Sequence, residues 1–492
     1  MKILLVYPEC PDTFWSLKHA LRIISKRSVL PPLGLLTVAA MLPPDWEKKL
    51  MDMSVEPLTD KDIEWADYVF ISAMHIQKAS VDRIVARCKS LGTKIVAGGP
   101  LFTSGYENCH DIDHLVLNEA EITFPPFLRD LAEGNPQYVY TSDRWADMNT
   151  TPVPLWELVD MKKYACMPLQ YSRGCPFSCD FCDVTILFGN KMRTKTADQI
   201  LAELDRLYLR GWRDPVFFVD DNFIGNKQTL KIEVLPAIID WMERRKRPFT
   251  LNTQVSINLC DDEELMRLMA QAGFDTVFVG IETPDEQGLA ECSKYQNRNR
   301  DLVASVKKIQ SFGLQVQGGF ILGFDSDRPS IFATLTKFIQ ESGIVTAMVG
   351  LLNAPPGTKL YKRLLKENRV VKNATGDNTD LSMNFLPRMN YEELVEGYKE
   401  VVRKIYSHKL YYERVMTFLK NYRPFHRSRF RLHTYDIRAF LKSMWVLGLR
   451  GKGRIYYWRL VAWSLLRRPR LLPLAMSLAI YGFHFRKIFE SY

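Results

Sequence analysis

The chain lacks the paired cysteines of a secreted scaffold. Of its nine cysteines, Cys10, Cys88, Cys109, Cys166, Cys260 and Cys292 stand singly and only Cys175, Cys179 and Cys182 cluster, which excludes a disulfide framework. A secretory signal is also missing, because MKILLVYPECPDTFW offers one lysine and a short β-like apolar run before acid and proline intervene. A reducing, cytoplasmic setting is therefore expected, and it suits thiolates and iron-sulfur chemistry. There is no internal repeat and no low-complexity tract. With 47% hydrophobic residues, disorder is not the default reading, and 492 residues leave room for roughly three domains.

Charge is unevenly spread. The net charge is +10, yet residues 401–492 hold 20 Lys and Arg against only Glu413, Asp436 and Glu490, so the body before them is acidic. A basic end on an acidic body points to an anionic partner, either a membrane surface or nucleic acid.

Residues 1–135 alternate short Val, Ile and Leu-rich runs (2–8, 67–73, 93–100, 114–118) with helical stretches such as 79–91, the pattern of a doubly wound parallel sheet. Residues 136–165 lose that periodicity and carry Pro152 and Pro154, which reads as a linker. A second strand and helix series occupies 166–385, with candidate strands at 169–174, 216–222, 249–256, 276–283, 314–324 and 345–353. Six parallel strands at this spacing suggest a partial barrel whose chemistry sits after the strand C-termini. Residues 386–492 are helical and aromatic-rich.

The run Arg173-Gly174-Cys175-Pro-Phe-Ser-Cys179-Asp-Phe-Cys182 follows the first barrel strand. Three thiolates spaced C-x3-C-x2-C can bind three irons of a four-iron cluster and leave the fourth iron open. A zinc site would want a fourth Cys or His nearby, and none follows before Cys260.

This motif resembles the radical S-adenosylmethionine superfamily, with Phe181 matching the aromatic before the third cysteine. The resemblance implies a [4Fe-4S] cluster on Cys175, Cys179 and Cys182 whose open iron chelates S-adenosylmethionine, and cleavage to a 5′-deoxyadenosyl radical. It places the methionine amino group near Asp220, Asp221 and Asn222. It places ribose and methionine contacts at Gln254, Ser256 and Glu282, and adenine near the glycine-rich run that ends at Gly323. It also implies an external electron donor of flavodoxin or ferredoxin type.

The first sheet lacks the G-x-G-x-x-G of a dinucleotide fold, having Tyr7-Pro8-Glu9-Cys10-Pro11 after its first strand. Open sheets bind ligands beyond their strand C-termini. Gly34 and Leu35, Ser72 and Ala73, Gly98, Gly99 and Pro100, and Glu119 resemble the cobalamin-binding domains that precede many radical barrels. The D-x-H-x-x-G motif that supplies a cobalt-ligating histidine in many of those domains is absent, and His19 and His75 are elsewhere, so cobalamin is expected without a protein histidine on cobalt. The expected fold is α/β, with a Rossmann-like cobalamin-binding sheet, a partial (β/α)6 radical SAM barrel and a mainly helical basic C-terminal domain.

The segments 454–466 and 471–483 combine apolar runs with the arginine hinge at 467–470. Each is shorter than the roughly 20 residues that span a bilayer. Trp458, Trp463, Tyr456, Tyr457 and Tyr481 among arginines fit helices lying in an anionic membrane interface, and a cap packed on the barrel is the competing reading. Nucleic acid ranks last, since no RNA- or DNA-binding motif accompanies the charge. The whole layout resembles cobalamin-dependent radical enzymes that include hopanoid methylases. The function implied is methylation of an unactivated carbon of an apolar, lipid-like substrate. Radical cyclisation or oxidation is the alternative, and a corrinoid carrier or sensor would not need the three cysteines.

Overall fold

The computed structural model describes residues 1–105, 111–377, 379–425 and 434–491; Cys109 lies outside them. The chain forms two compact units. The first comprises Met1–Pro11, Arg27–Pro176 and Val184–Asp214, and the second Asp12–Lys26, Phe177–Asp183 and Pro215–Tyr492. These borders fall at none of the sequence-derived boundaries.

In the first unit, β1 (Lys2–Tyr7), β2 (Glu47–Asp52), β3 (Tyr68–Ser72), β4 (Lys94–Gly98), β5 (His114–Val116) and β6 (Val139–Tyr140) form one sheet in the order β2-β1-β3-β4-β5-β6. Every ladder in it is parallel. The inner strands are buried on both faces, Ile3, Leu5 and Phe70 to one side and Leu4, Val69 and Ile71 to the other, which is why they read as continuous apolar runs. The doubly wound sheet expected from the sequence is present.

After β6, residues up to 165 form no long element and pack against the rest of the unit. Trp156 and Tyr164 are buried, Leu155 N–H donates to Leu36 O (3.0 Å), and the Tyr164 hydroxyl donates to Asp52 Oδ2 (3.0 Å). Burial raises the Asp52 carboxyl to about 6, although bonds from Ser54 and Tyr164 oppose the rise. The sequence-derived strand at 169–174 divides into β7 (Met167–Leu169) and β8 (Ser172–Arg173), and β8 pairs antiparallel with β9 (Arg193–Thr194).

In the second unit, β10 (Val216–Phe218), β11 (Leu251–Val255), β12 (Phe274–Glu282), β13 (Gln315–Leu322) and β14 (Ala347–Leu351) run parallel in sequence order. Alternation sorts their side chains. Val277, Val279, Phe320 and Val349 are buried, whereas Asn252, Gln254, Thr276, Phe278 and Gln317 on the other face are half-buried and largely polar.

The helices Tyr391–Ile405 and His408–Asn421 belong to this unit and close the β14 edge. The Tyr406 hydroxyl accepts from Ala347 N–H (3.2 Å) and donates to Ala347 O (2.6 Å), and the Tyr398 hydroxyl donates to Val349 O (3.2 Å). Backbone groups at a sheet edge need such partners when buried. Arg414, fully buried, donates to Gln340 Oε1 and Val345 O, with the Tyr406 and Tyr411 rings 5.8 and 5.4 Å from its guanidinium. Replacing Arg414 with Ala strands Gln340 and leaves a cavity, so the urea midpoint should fall by the equivalent of about 3 kcal/mol, with Arg414→Met losing less.

Candidate functional site

Parallel strands deliver their C-terminal ends to one edge, and loops there carry side chains held by a rigid sheet. In the first unit that edge is built from small residues. Ser72 pairs with Gly98 in register, and Gly99 follows with φ +90°. A Cβ on Gly99 would lie 2.6 Å from Ser72 Oγ, so only glycine permits the turn into the short Pro100–Thr103 helix. Gly98, Gly99 and Pro100 are part-exposed, and Gly34 is exposed with open space around it. His75 Nε2 is 2.7 Å from Ser104 Oγ.

Three of the residues expected there have other work. Leu35 lies in the core with Ile3, Leu5 and Phe70, because the buried face of the Leu33–Met41 helix includes position 35. Ala73 is equally buried on the opposite side of the sheet. The Glu119 carboxylate accepts from Arg173 Nη1 (3.0 Å), Arg193 Nη1 (2.8 Å) and Ala146 N–H (2.6 Å). Glu121 joins the network through Arg173 (2.8 Å), whose bonds overcome burial and hold its carboxyl at about 2. Two arginines on two buried carboxylates compensate the cost of desolvation.

The loop bearing the three cysteines passes from the first unit to the second between Pro176 and Phe177. Cys175 N–H donates to Gly189 O (3.3 Å), and Cys182 N–H to Cys179 O (3.1 Å). All three cysteines and Phe181 are part-exposed. Burial pushes the Cys179 thiol up, with Lys294 opposing and Glu282 reinforcing the rise. Asp180 N–H donates to Cys292 O (3.1 Å), and burial raises the Cys292 thiol to about 12.

Glu282, at the end of β12, holds φ +65° beside a register shift between Gly280 and Glu282. A left-handed non-glycine residue stores about 1–3 kcal/mol of strain, maintained only by its surroundings. Those surroundings are Lys294, whose Nζ is 2.6 Å from Glu282 Oε1, and Asn297, whose amide donates to Gly280 O and Ile281 O (both 3.0 Å). A Cβ on Gly280 would come within 2.9 Å of Lys294 Nζ. Burial works against the Lys294 charge, but Glu282, with smaller contributions from Cys179 and Cys182, keeps the ammonium form well above its ordinary range. Lys294 and Asn297 escaped the sequence reading, because they follow the Glu286–Glu291 helix rather than a strand end.

Asp220 is fully buried. Burial, with the charges of Asp220 and Asp183 adding, raises Asp221 to about 7, so this corner favours an incoming cation. Asn222 Oδ1 accepts from Ser256 N–H (3.2 Å) and Ser256 Oγ (3.3 Å), joining the ends of β10 and β11. Gln254 is half-buried on the polar face of β11. Gly323, with φ +106°, donates its N–H to Asp327 Oδ2 (2.8 Å), and burial raises Asp327 to about 7.

Lys294→Met should leave Glu282 buried without a counter-charge and lower stability by about 3 kcal/mol, and adding Glu282→Gln should recover more than half of that. Urea unfolding of the single and double variants checks the coupling.

Three family models match the chain. These are the B12 binding domain over residues 21–128, the radical SAM superfamily over 169–338 and a domain of unknown function, DUF4070, over 358–492. The uncharacterized methyltransferase sll1242 of Synechocystis sp. is 38% identical over 99% of this chain and 91% of its own length. The hopanoid C-2 methylase of Rhodopseudomonas palustris is 32% identical over 95% of this chain and 90% of its own length. Among solved structures, the cobalamin-dependent S-adenosylmethionine radical enzyme OxsB with aqua-cobalamin bound shares the fold with a TM-score of 0.63 at 14% identity, covering 99% of this chain and 79% of that one. The family's cofactors are a [4Fe-4S] cluster, S-adenosylmethionine and cobalamin, and the part-exposed cysteines and the small-residue sheet edge fit them. With end-to-end identity of this extent, the chain belongs to the cobalamin-dependent radical S-adenosylmethionine methyltransferase family and is an enzyme.

Proposed function

We propose that this enzyme methylates an unactivated carbon of an apolar, lipid-like substrate that it meets at an anionic membrane surface. The observation that carries the substrate class is the solvent face of the Arg454–Arg467 helix. Ile455 is 76% exposed and Leu466 83%, and Trp458 and Leu465 are exposed beside them. At i, i+3, i+10 and i+11 they form one apolar stripe, flanked by Arg454, Arg459 and Arg467. Such a stripe suits burial at the level of lipid headgroups. No helix of the described residues is long and apolar enough to cross a membrane. Burial of Leu478, Ala479 and Phe485 in the Leu472–Ile488 helix supports a packed role for that helix. The relative named for hopanoid methylation matches 95% of this chain and supports a lipid substrate.

Cys175, Cys179 and Cys182 are assigned to the cluster. Asp220, Asp221 and Asn222 are assigned to the ammonium of S-adenosylmethionine, with Gln254, Ser256 and Glu282 as further contacts. The crowding of Asp183, Asp220 and Asp221 supports this, since an ammonium relieves their mutual repulsion. Ser72, Gly98, Gly99, Pro100 and Gly34 are assigned to the corrinoid. Bound, the cofactors supply a methyl group and a 5′-deoxyadenosyl radical that removes hydrogen from carbon, with electrons from a flavodoxin- or ferredoxin-type donor. On the half-buried, largely polar strand face, Trp15 meets Phe278 edge-on at 5.5 Å, and this aromatic pair is the apolar patch offered to the substrate.

Anaerobic turnover with S-adenosylmethionine deuterated on its methyl group and a membrane-lipid extract should place label in a lipid product, and Cys179→Ala should abolish it. Formation of 5′-deoxyadenosine without labelled product would replace methylation by cyclisation or oxidation. Separately, binding to anionic liposomes should weaken as salt rises, because the attraction is screened. Trp458→Ser with Leu466→Ser should reduce it several-fold while leaving iron content unchanged.

A further inference from the structure

The segment Asp12–Lys26 folds with the second unit although it follows β1. There the Phe14 ring stacks on Phe485 of the Leu472–Ile488 helix at 4.2 Å. Beside that stack, an oxygen of Asp12 and one nitrogen each from His19 and His484 all lie within 4.8 Å of one another. His19 Nε2 is 3.0 Å from Asp12 Oδ2, and the two imidazole rings are 5.5 Å apart.

His484 is the informative member. It is 0% exposed, and its Nε2 lies 3.2 and 3.1 Å from the carbonyl oxygens of Thr13 and Phe14. Carbonyls only accept, so Nε2 carries the proton and Nδ1 is left with the lone pair. That Nδ1 is buried and meets no hydrogen-bond donor. A buried polar atom without a partner calls for an explanation. An imidazole that donates one N–H to backbone carbonyl and keeps its other nitrogen bare has the tautomer and orientation of a metal ligand.

We propose that Asp12, His19 and His484 bind one divalent first-row transition ion, of which Zn2+ is the best match, at a site separate from the iron-sulfur loop. Two neutral imidazoles and a carboxylate form a borderline donor set suited to zinc, with water completing a tetrahedron. Metal–ligand bonds of about 2.0 Å put ligand atoms about 3.3 Å apart. The Asp12 side chain is 40% exposed and that of His19 23%, so these two have room to close on the fixed His484. The ion takes the place of the direct contact between His19 and Asp12. Its effect is a clasp. It ties the segment that presents Trp15 to Phe278 onto a helix more than 450 positions away.

The test uses the full-length enzyme with its cluster reconstituted, so that the clustered thiols are occupied. Protein incubated with excess zinc chloride and then desalted should retain about one zinc per chain with iron unchanged. Zinc should also raise the melting temperature. His19→Ala and Asp12→Asn, both at accessible side chains, should keep their iron, lose the zinc and lose the thermal response. His484→Gln should do the same, and its circular dichroism shows whether the helix survives. Failure of the wild type to retain zinc overturns the proposal, and so does equal retention by His19→Ala.

Discussion

Parallel pairing is the constraint on which the rest depends. With the long strands of each unit all running one way, strand C-termini gather at one edge, and the turns leaving that edge hold side chains on a scaffold that does not move. The edge of the first unit is made of glycine, serine and proline and gives room. The edge of the second is made of carboxylates, amides and one buried ammonium and gives charge. One topological rule thus produces two chemically different rims.

The charged rim is kept in place at some cost. Glu282 occupies a backbone region that side chains avoid, and it stays there because Lys294 holds its carboxylate while Asn297 holds the two carbonyls preceding it. Strain at a strand end is tolerable when several hydrogen bonds determine the same geometry. The Arg173 and Arg193 network does the corresponding work in the first unit, fixing the strand that leads into the cysteine loop.

Legibility in the sequence followed contact distance. Cys175, Cys179 and Cys182 are neighbours in the chain, so their spacing was informative by itself, and the β1, β3 and β4 runs were apolar because both their faces are buried. The segment 136–165 looked like a linker because burial of Trp156 and Tyr164 by irregular backbone has no period to detect. Leu35 was expected at the ligand because segment 31–35 resembles cobalamin-binding domains; its side chain lies in the core because one step along a helix from exposed Gly34 turns a side chain through about 100°. The ion pairs of Glu119 were not legible, since its partners Arg173 and Arg193 are 54 and 74 positions away. His484 shows the same effect at the greatest range, because its surroundings come from the opposite end of the chain.

The tyrosine hydroxyls that cover β14 bear on how the protein is made. A nascent chain that has emerged only as far as residue 351 displays the whole outer ladder of an apolar parallel sheet, a ready template for strand addition by a neighbour on the same polysome. The hazard persists until Tyr398 and Tyr406 have been synthesised and docked. Ribosomal pausing between those points, or a nonsense codon there, would therefore generate aggregation-prone fragments and a demand for chaperones, whereas interruption after the His408–Asn421 helix would leave the sheet already sealed.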